Sequence, residues 1–227
     1  MSLHFKNRDI VVPGELLAEG EYKPGEGTFK EGNNIYSSVV GLAEVKGKLI
    51  QVVAFEGAYI PKAGDVVIGK VIDVKMTSWK IDIKSPYQAL MRPSNVFERE
   101  RRLDPVKDDL RHFFNVGDTL VAKILSFDRT RTPVLTTKER GLGKLQGGYL
   151  IEMLPTKIPR LIGRKGSMIN MIKKETGCQI VIGQNGVVWV SGKNFEDEER
   201  VIKAIRQIER EAHTSGLTDR IRDLIHK

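Results

Sequence analysis

Ile158-Pro159-Arg160-Leu161-Ile162-Gly163-Arg164-Lys165-Gly166-Ser167-Met168-Ile169 is the stretch on which the reading of this chain turns. An apolar segment ends at Gly163 and two cationic residues follow. Gly166 then precedes a second apolar segment, with Met168, Ile169, Met171 and Ile172 at helical spacing. The pattern predicts two short helices joined by a Gly-x-x-Gly bend. Glycine has no Cβ, so Gly163 and Gly166 permit a tight turn and the close approach of a sugar-phosphate backbone. The second helix starts near Ser167, and its unpaired amides and dipole favour an anion at the bend. Arg164 and Lys165 occupy the two free positions and can neutralise phosphates. Ile162 and Ile169 are expected to floor a groove beside the bases.

Alone, such a motif describes a glycine turn with two solvated cations. Its surroundings give it meaning. Upstream, residues 148–154 read as a strand. Downstream come Cys178-Gln179-Ile180-Val181-Ile182, the turn Asn185-Gly186, and Val187-Val188-Trp189-Val190. Asn-Gly between two apolar runs is a strong hairpin signal. Asn194 is then placed to cap a helix that carries Phe195, Val201, Ile202, Ile205, Ile208 and Ala212 on one face. Gly216 stops that helix, and Leu217, Ile221, Leu224 and Ile225 stripe a short terminal one. The order strand, helix, Gly-x-x-Gly, helix, strand, strand, helix resembles a KH module, whose loop clamps about four backbone nucleotides.

Charge points to the same region. The chain has 227 residues and a net charge of +8. Residues 1–63 hold 7 Lys/Arg against 8 Asp/Glu, whereas residues 138–174 hold 9 against 2. The cationic excess therefore surrounds the bend, as a polyanion-binding surface requires. The single cysteine, Cys178, excludes an internal disulfide, fits a reducing cytoplasm and reads as a small buried side chain. The N-terminal dozen residues lack the long apolar core of a signal peptide, and no apolar run reaches the ~20 residues of a membrane span. A membrane partner is not expected.

Residues 1–62 read as a small all-β unit. Residues 10–17 open with a strand that Pro13-Gly14 interrupts, and β-rich runs follow at 35–42 and 49–55. Glu15, Glu19, Glu21, Glu26 and Glu31 make its start acidic. The unit is thus either a solvated cap or a dock for a basic partner surface. Residues 63–137 carry short strands at 66–74, 79–83, 89–91, 119–127 and 133–137, which suggests a five-stranded OB barrel. Trp79, Ile81 and Ile83 alternate inward, and Lys80 and Asp82 fall on the other face. The mixed-sign segment 97–111 reads as a solvated loop with one helical turn. Residues 138–147, rich in glycine and with Lys144 among their cations, read as a linker. The expected fold class is multidomain and mainly β with an α/β part: an N-terminal β domain (1–62), an OB barrel (63–137), a linker (138–147) and a KH domain, βααββα with a C-terminal helix (148–227).

The barrel resembles the RNA-binding barrel repeated in ribosomal protein S-one through Gly64-Asp65, Gly69-Lys70-Val71, Ile81-Asp82-Ile83, Pro93-Ser94, Gly117-Asp118 and Asp128. That family's usual RNA face carries two aromatics and a histidine. The equivalent positions here are Thr77, Lys80 and Arg92, so the resemblance implies weaker base stacking and a larger share for phosphate contact. Arg129 and Arg131 align to a loop on the same rim.

The whole order resembles the RNA-binding cap subunit of the archaeal exosome. The segments 11–20 (Val-Val-Pro-Gly-Glu-Leu-Leu-Ala-Glu-Gly), 36–42 (Tyr-Ser-Ser-Val-Val-Gly-Leu) and 216–221 (Gly-Leu-Thr-Asp-Arg-Ile) carry the likeness. It implies three copies per complex, seated by their N-terminal units on a hexameric ring of phosphorolytic nuclease subunits. Single-stranded RNA is captured by the barrel and KH module and threaded 3′ end first into the ring. The cap itself does no chemistry.

The residues agree with that last point. They contain no Ser/His/Asp set, no metal-ligand cluster and no phosphate loop of the Walker type, and His4, His112, His213 and His226 are scattered. Asp82 and Asp128 read as turn or surface residues rather than a carboxylate pair. No cofactor is expected. Two other readings stay open: an OB-plus-KH factor of transcription or translation, and a nuclease in its own right. The expected RNA contacts are Gly163, Arg164, Lys165, Gly166, Lys80, Arg92, Arg129, Arg131 and Lys144.

Overall fold

The computed structural model describes residues 2–96, 109–128, 130–212, 214 and 216–226. The chain separates into two compact units, Met1–Gly57 and Ala58–Lys227.

The first unit contains β1 (Ser2–Leu3), β2 (Ile10–Val11), β3 (Leu16–Glu19), β4 (Lys23–Pro24), β5 (Thr28–Glu31), β6 (Asn34–Ser37), β7 (Gly41–Lys46) and β8 (Leu49–Ala54). They form two four-stranded sheets, ordered β1-β3-β6-β5 and β2-β7-β8-β4. Val11, Leu17, Ile35, Ala43, Ile50 and Val52 from both sheets share one buried core. Alternation along the strands leaves the opposite face of the second sheet apolar and open. Ile10, Leu42 and Val53 lie across from one another in register, and Ile10 is 68% exposed. Val12, Val40 and Phe55 extend this row and are exposed as well. The acidic residues are partly engaged within the unit: Glu15 accepts from the Val12 amide, and Glu21 bridges Lys48.

In the second unit, β9 (Val66–Lys75), β10 (Ser78–Asp82), β11 (Ala89–Met91), β12 (Thr119–Asp128) and β13 (Arg131–Thr136) close into the expected barrel. β9 pairs with both β10 and β12, β11 with β10 and β13, and β13 returns to β12. Trp79, Ile81 and Ile83 point inward and are fully buried. The Trp79 indole donates to the carbonyls of Leu110 and Phe114 (3.2 and 3.0 Å), which satisfies its one polar atom inside the core. Most of segment 97–111 lies outside the described residues. Its end forms a 3-10 turn, Leu110–His112, capped by the Asp109 carboxylate.

The stretch expected to be a linker has structure of its own. β14 (Gly143–Leu145) pairs with Thr119–Val121 of β12 and adds a sixth strand to the barrel sheet. β15 (Tyr149–Glu152), α1 (Ile158–Ile162), α2 (Ser167–Thr176), β16 (Gln179–Ile182), β17 (Val187–Ser191), α3 (Phe195–Arg210) and α4 (Leu217–His226) complete the chain. The three strands form a sheet ordered β15-β17-β16, and Ile158, Leu161, Ile172, Val190, Ile205 and Ile221 are buried between it and the helices. This is the expected KH order plus a terminal helix.

Several local expectations change. The Asn194 side chain does not cap α3; it reaches Asp197, and the Glu198 carboxylate instead accepts from the Gly192 amide. Phe195 lies off the buried face, 64% exposed, because the helical phase is set by Val201, Ala204, Ile205 and Ile208. α3 ends at Arg210, ahead of Ala212 and Gly216.

Barrel and KH module are joined by a built interface. Ile68 and Val121 of the barrel share a small core with Val187 and Trp189. Asn185, at the β16–β17 turn, is 3% exposed. Its carbonyl accepts from the Ile68 amide (3.2 Å), and its amide donates to Ile68 and Ile83 carbonyls (2.8 Å each). Beside it, the Gln184 side chain accepts from the Val66 amide, and the Gln184 amide donates to the Val66 carbonyl. Lys84 and Glu152 add an ion pair at 2.9 Å. Asn185→Ala strands three backbone groups in a dry interface. It is expected to lower the unfolding free energy by about 3 kcal/mol, read as a shifted urea midpoint; an unmoved midpoint would contradict the plug.

Candidate nucleic-acid interface

The bend at 163–166 is open to solvent. α1 ends where the Gly163 amide donates to the Pro159 carbonyl, and Gly163 takes φ +75° and ψ 175°. Lys165 and Gly166 follow with φ +52° and +78°, so the chain reverses within four residues. A Cβ on Gly163 would lie 2.8 Å from the Met168 amide nitrogen and 2.9 Å from the Met168 Cβ. Gly163 therefore lets the bend fold directly onto the start of α2. At Gly166 the nearest atom to a Cβ would be the movable Asn170 side chain at 3.2 Å. No side chain caps the first turn of α2; the Ser167 amide donates to the Arg164 carbonyl, and the Met168 amide lies against the bend. Arg164 and Lys165 are both exposed. The bend therefore offers backbone donors, a helix dipole and two cations.

An apolar groove of about 310 Å³ runs beside it, lined by Pro155, Ile158, Pro159, Ile162, Gly163 and Gln184. Ile162 lines this groove as expected. Ile169 does not: the phase of α2 turns it with Ile172 into the KH core, and it is 7% exposed. Pro155, Ile158 and Pro159 take its place. Gln184 carries no signal in the sequence, because its role comes from the contact of two modules.

A second concavity, about 560 Å³, lies on the barrel and is lined by Lys75, Lys80, Tyr87, Gln88, Leu90 and Arg131 among others. Two predicted residues, Lys80 and Arg131, meet here. Arg92 is exposed outside it, at the start of the 3-10 turn Pro93–Asn95. Arg129 lies outside the described residues. Lys144 sits on β14 with its ammonium 2.6 Å from Asp118. Lys75 and Tyr87 are not among the residues the sequence predicts. Lys75 ends β9, close to the hairpin into β10, and Tyr87 sits in the β10–β11 loop, where strand alternation gives no guide.

Several other titratable groups have structural partners. Asp82 and Asp128 accept from the amides of Lys84 and Thr130, which are turn roles. His4 faces Glu19 and His226 faces Glu175, and His213 lies outside the described residues. Burial pushes the Cys178 thiol up, and its side chain is enclosed. Among the described residues, no group of three or more His, Cys, Asp or Glu is placed to hold a metal ion, and no helix is long and apolar enough to cross a membrane.

Comparison with known proteins covers nearly the whole chain. Family profiles match in sequence order: the exosome RNA-binding protein RRP4 N-terminal domain over residues 8–56, the RRP4 S1 domain over 58–126 and the KH domain over 150–210. The exosome complex component Rrp4 of Thermococcus kodakarensis is 52% identical over 222 residues, covering 97% of this chain and 86% of its own. Rrp4 of Methanothermus fervidus is 52% identical over 223 residues, covering 98% and 97%. Rrp4 of Thermofilum pendens is 42% identical over 230 residues, covering 100% and 96%. A crystal structure described as an exosome complex RNA-binding protein superposes with a TM-score of 0.69 at 40% identity. It covers 75% of this chain and 96% of the other.

Two outcomes follow from the geometry. Gly163→Ala combines a disfavoured φ with a steric clash. It is expected to speed amide hydrogen exchange at 163–169 far more than Gly166→Ala does; equal effects would contradict the tight fit at 163. At Asp118, burial alone would raise the carboxyl, but hydrogen bonds from Lys144 and the Asn115 amide outweigh it and hold the group below its ordinary value. That stabilisation is present above the unfolded-state value of about 4 and is lost as pH falls through the lower folded value. Asp118→Asn should therefore flatten the acid limb of the stability–pH curve, and an unchanged limb would contradict the assignment.

Proposed function

The chain belongs to the Rrp4 family of exosome components, and from that premise we propose that it is a non-catalytic RNA-binding subunit of an RNA-degrading complex. It captures single-stranded RNA and feeds the 3′ end to a phosphorolytic 3′-5′ exoribonuclease ring in the cytoplasm. Three copies sit on a hexameric ring. The observation that carries this reading is the open bend at Gly163–Gly166, with Arg164 and Lys165 exposed beside an apolar groove. Such a site suits a strand whose phosphates meet donors and cations while its bases lie on apolar side chains. These groups hold a phosphodiester; breaking one needs a positioned nucleophile or acid–base pair, which the bend does not offer.

The division of labour within the chain has separate physical support. The row of Ile10, Val12, Val40, Val53 and Phe55, with Leu42 half-buried among them, is a sheet face suited to burial against a partner protein. The acidic composition of the unit points to carboxylates for docking, whereas this face makes apolar contact the larger contribution. The domain limits we assign are 1–62 for docking, 63–137 for the barrel and 148–227 for the KH module. Residues 138–147 connect the last two and contribute β14 to the barrel sheet.

A double dissociation tests the proposal. Arg164→Glu with Lys165→Glu should weaken single-stranded RNA binding at least tenfold and shrink the salt slope by about 0.7 per lost phosphate contact. It should leave co-purification with the ring intact. Ile10→Asp with Val53→Asp should do the reverse. Unchanged RNA affinity in the first variant would remove the bend from the function. Recovery of the wild-type chain with polymerase or ribosome, and never with nuclease subunits, would favour a transcription or translation factor.

A further inference from the structure

Among the described residues, Tyr87 is the one aromatic side chain lining the barrel concavity, and the charge around it has one sign. Lys75, Lys80 and Arg131 line the same wall, and no carboxylate lines it among the described residues. The ring is held in place. Phe127 meets it edge-on, with centroids 4.9 Å apart and planes at 66°. Two local bonds shape the loop carrying it: the Lys84 amide donates to Asp82 (2.8 Å), and the Tyr87 amide donates to the Ser85 hydroxyl (3.2 Å). Lys84 adopts φ +53°, which turns the chain sharply ahead of the loop. An aromatic ring fixed before any ligand arrives loses little rotamer freedom on binding. A volume of about 560 Å³ accommodates a nucleotide.

We propose that Tyr87 is the base-stacking platform of this barrel. A single RNA base lies on its ring while Lys75, Lys80 and Arg131 take the adjoining phosphates. The inference rests on the RNA-binding reading above and assigns a specific role within it. Stacking tolerates any base, since each has a π-face, and the surrounding cations supply the salt-dependent part.

The test compares two probes on the full chain: a labelled oligoadenylate and an abasic ribose-phosphate oligomer of equal length. Tyr87→Ala should lower oligoadenylate affinity about tenfold and leave the abasic oligomer within twofold. Tyr87→Phe, which keeps the ring and its Phe127 contact, should bind oligoadenylate within twofold of wild type. Lys80→Ala with Arg131→Ala should weaken both probes alike. Equal effects of Tyr87→Ala on the two probes, or a Tyr87→Phe loss matching that of Tyr87→Ala, would overturn stacking. If the cation pair matters and Tyr87→Ala does not, RNA binding stands and the platform falls. If the cation pair weakens neither probe, the barrel concavity is not an RNA site and the inference falls with it.

Discussion

Asn185 uses both of its amide hydrogens and its carbonyl oxygen on the backbone of the neighbouring barrel. A side chain so committed cannot move without leaving polar groups dry, and each stranded group costs about 1–3 kcal/mol. The two modules are therefore one body rather than beads on a string. Gln184, the preceding residue, couples this joint to the candidate RNA surface. It hydrogen-bonds barrel strand β9 and also lines the groove beside the glycine bend. The KH groove thus has part of its wall held in place by the barrel. Under the proposed function, the two RNA-contacting surfaces meet a strand in a fixed relation, so capture at one aligns the other without a search through linker conformations.

Under that proposal, the two surfaces divide the work differently. At the bend, the main chain does most of it: positive φ at three of four residues and a first turn of α2 without a side-chain cap shape a seat for phosphate. On the barrel, side chains do it, with three cations around one ring. The cations at both surfaces and the open main chain at the bend favour binding that reads the backbone rather than the sequence. The N-terminal unit follows another logic, with an exposed apolar sheet face in place of cations.

Much of this is legible in the residues. Strict alternation at Trp79, Ile81 and Ile83 locates the barrel core, and helical spacing around Gly163 and Gly166 locates the bend, because local periodicity decides both. What escapes a reading of the residues is set by tertiary contact. Asn185-Gly186 reads as a hairpin turn and is one, yet the asparagine side chain serves a strand 117 residues away. Ile169 and Phe195 depart from expectation because the face a helix buries depends on what covers it. Gly143–Leu145 looks like a linker because a three-residue run carries no strand signal until β12 supplies a partner. Lys80 and Arg131 come together as the resemblance implies, while Tyr87 stays hidden because loops between strands have no periodicity to read.

Under the proposed function, the glycine bend is the place where an RNA backbone is held. A residue-resolved amide NMR titration of the full chain with a short single-stranded oligoribonucleotide addresses this most directly. Saturating shifts are expected at Gly163 to Ile169 and at Gln184 beside the groove, with a midpoint that moves to higher RNA concentration as salt is raised. RNA binding that leaves those amides unmoved while others shift would contradict the account.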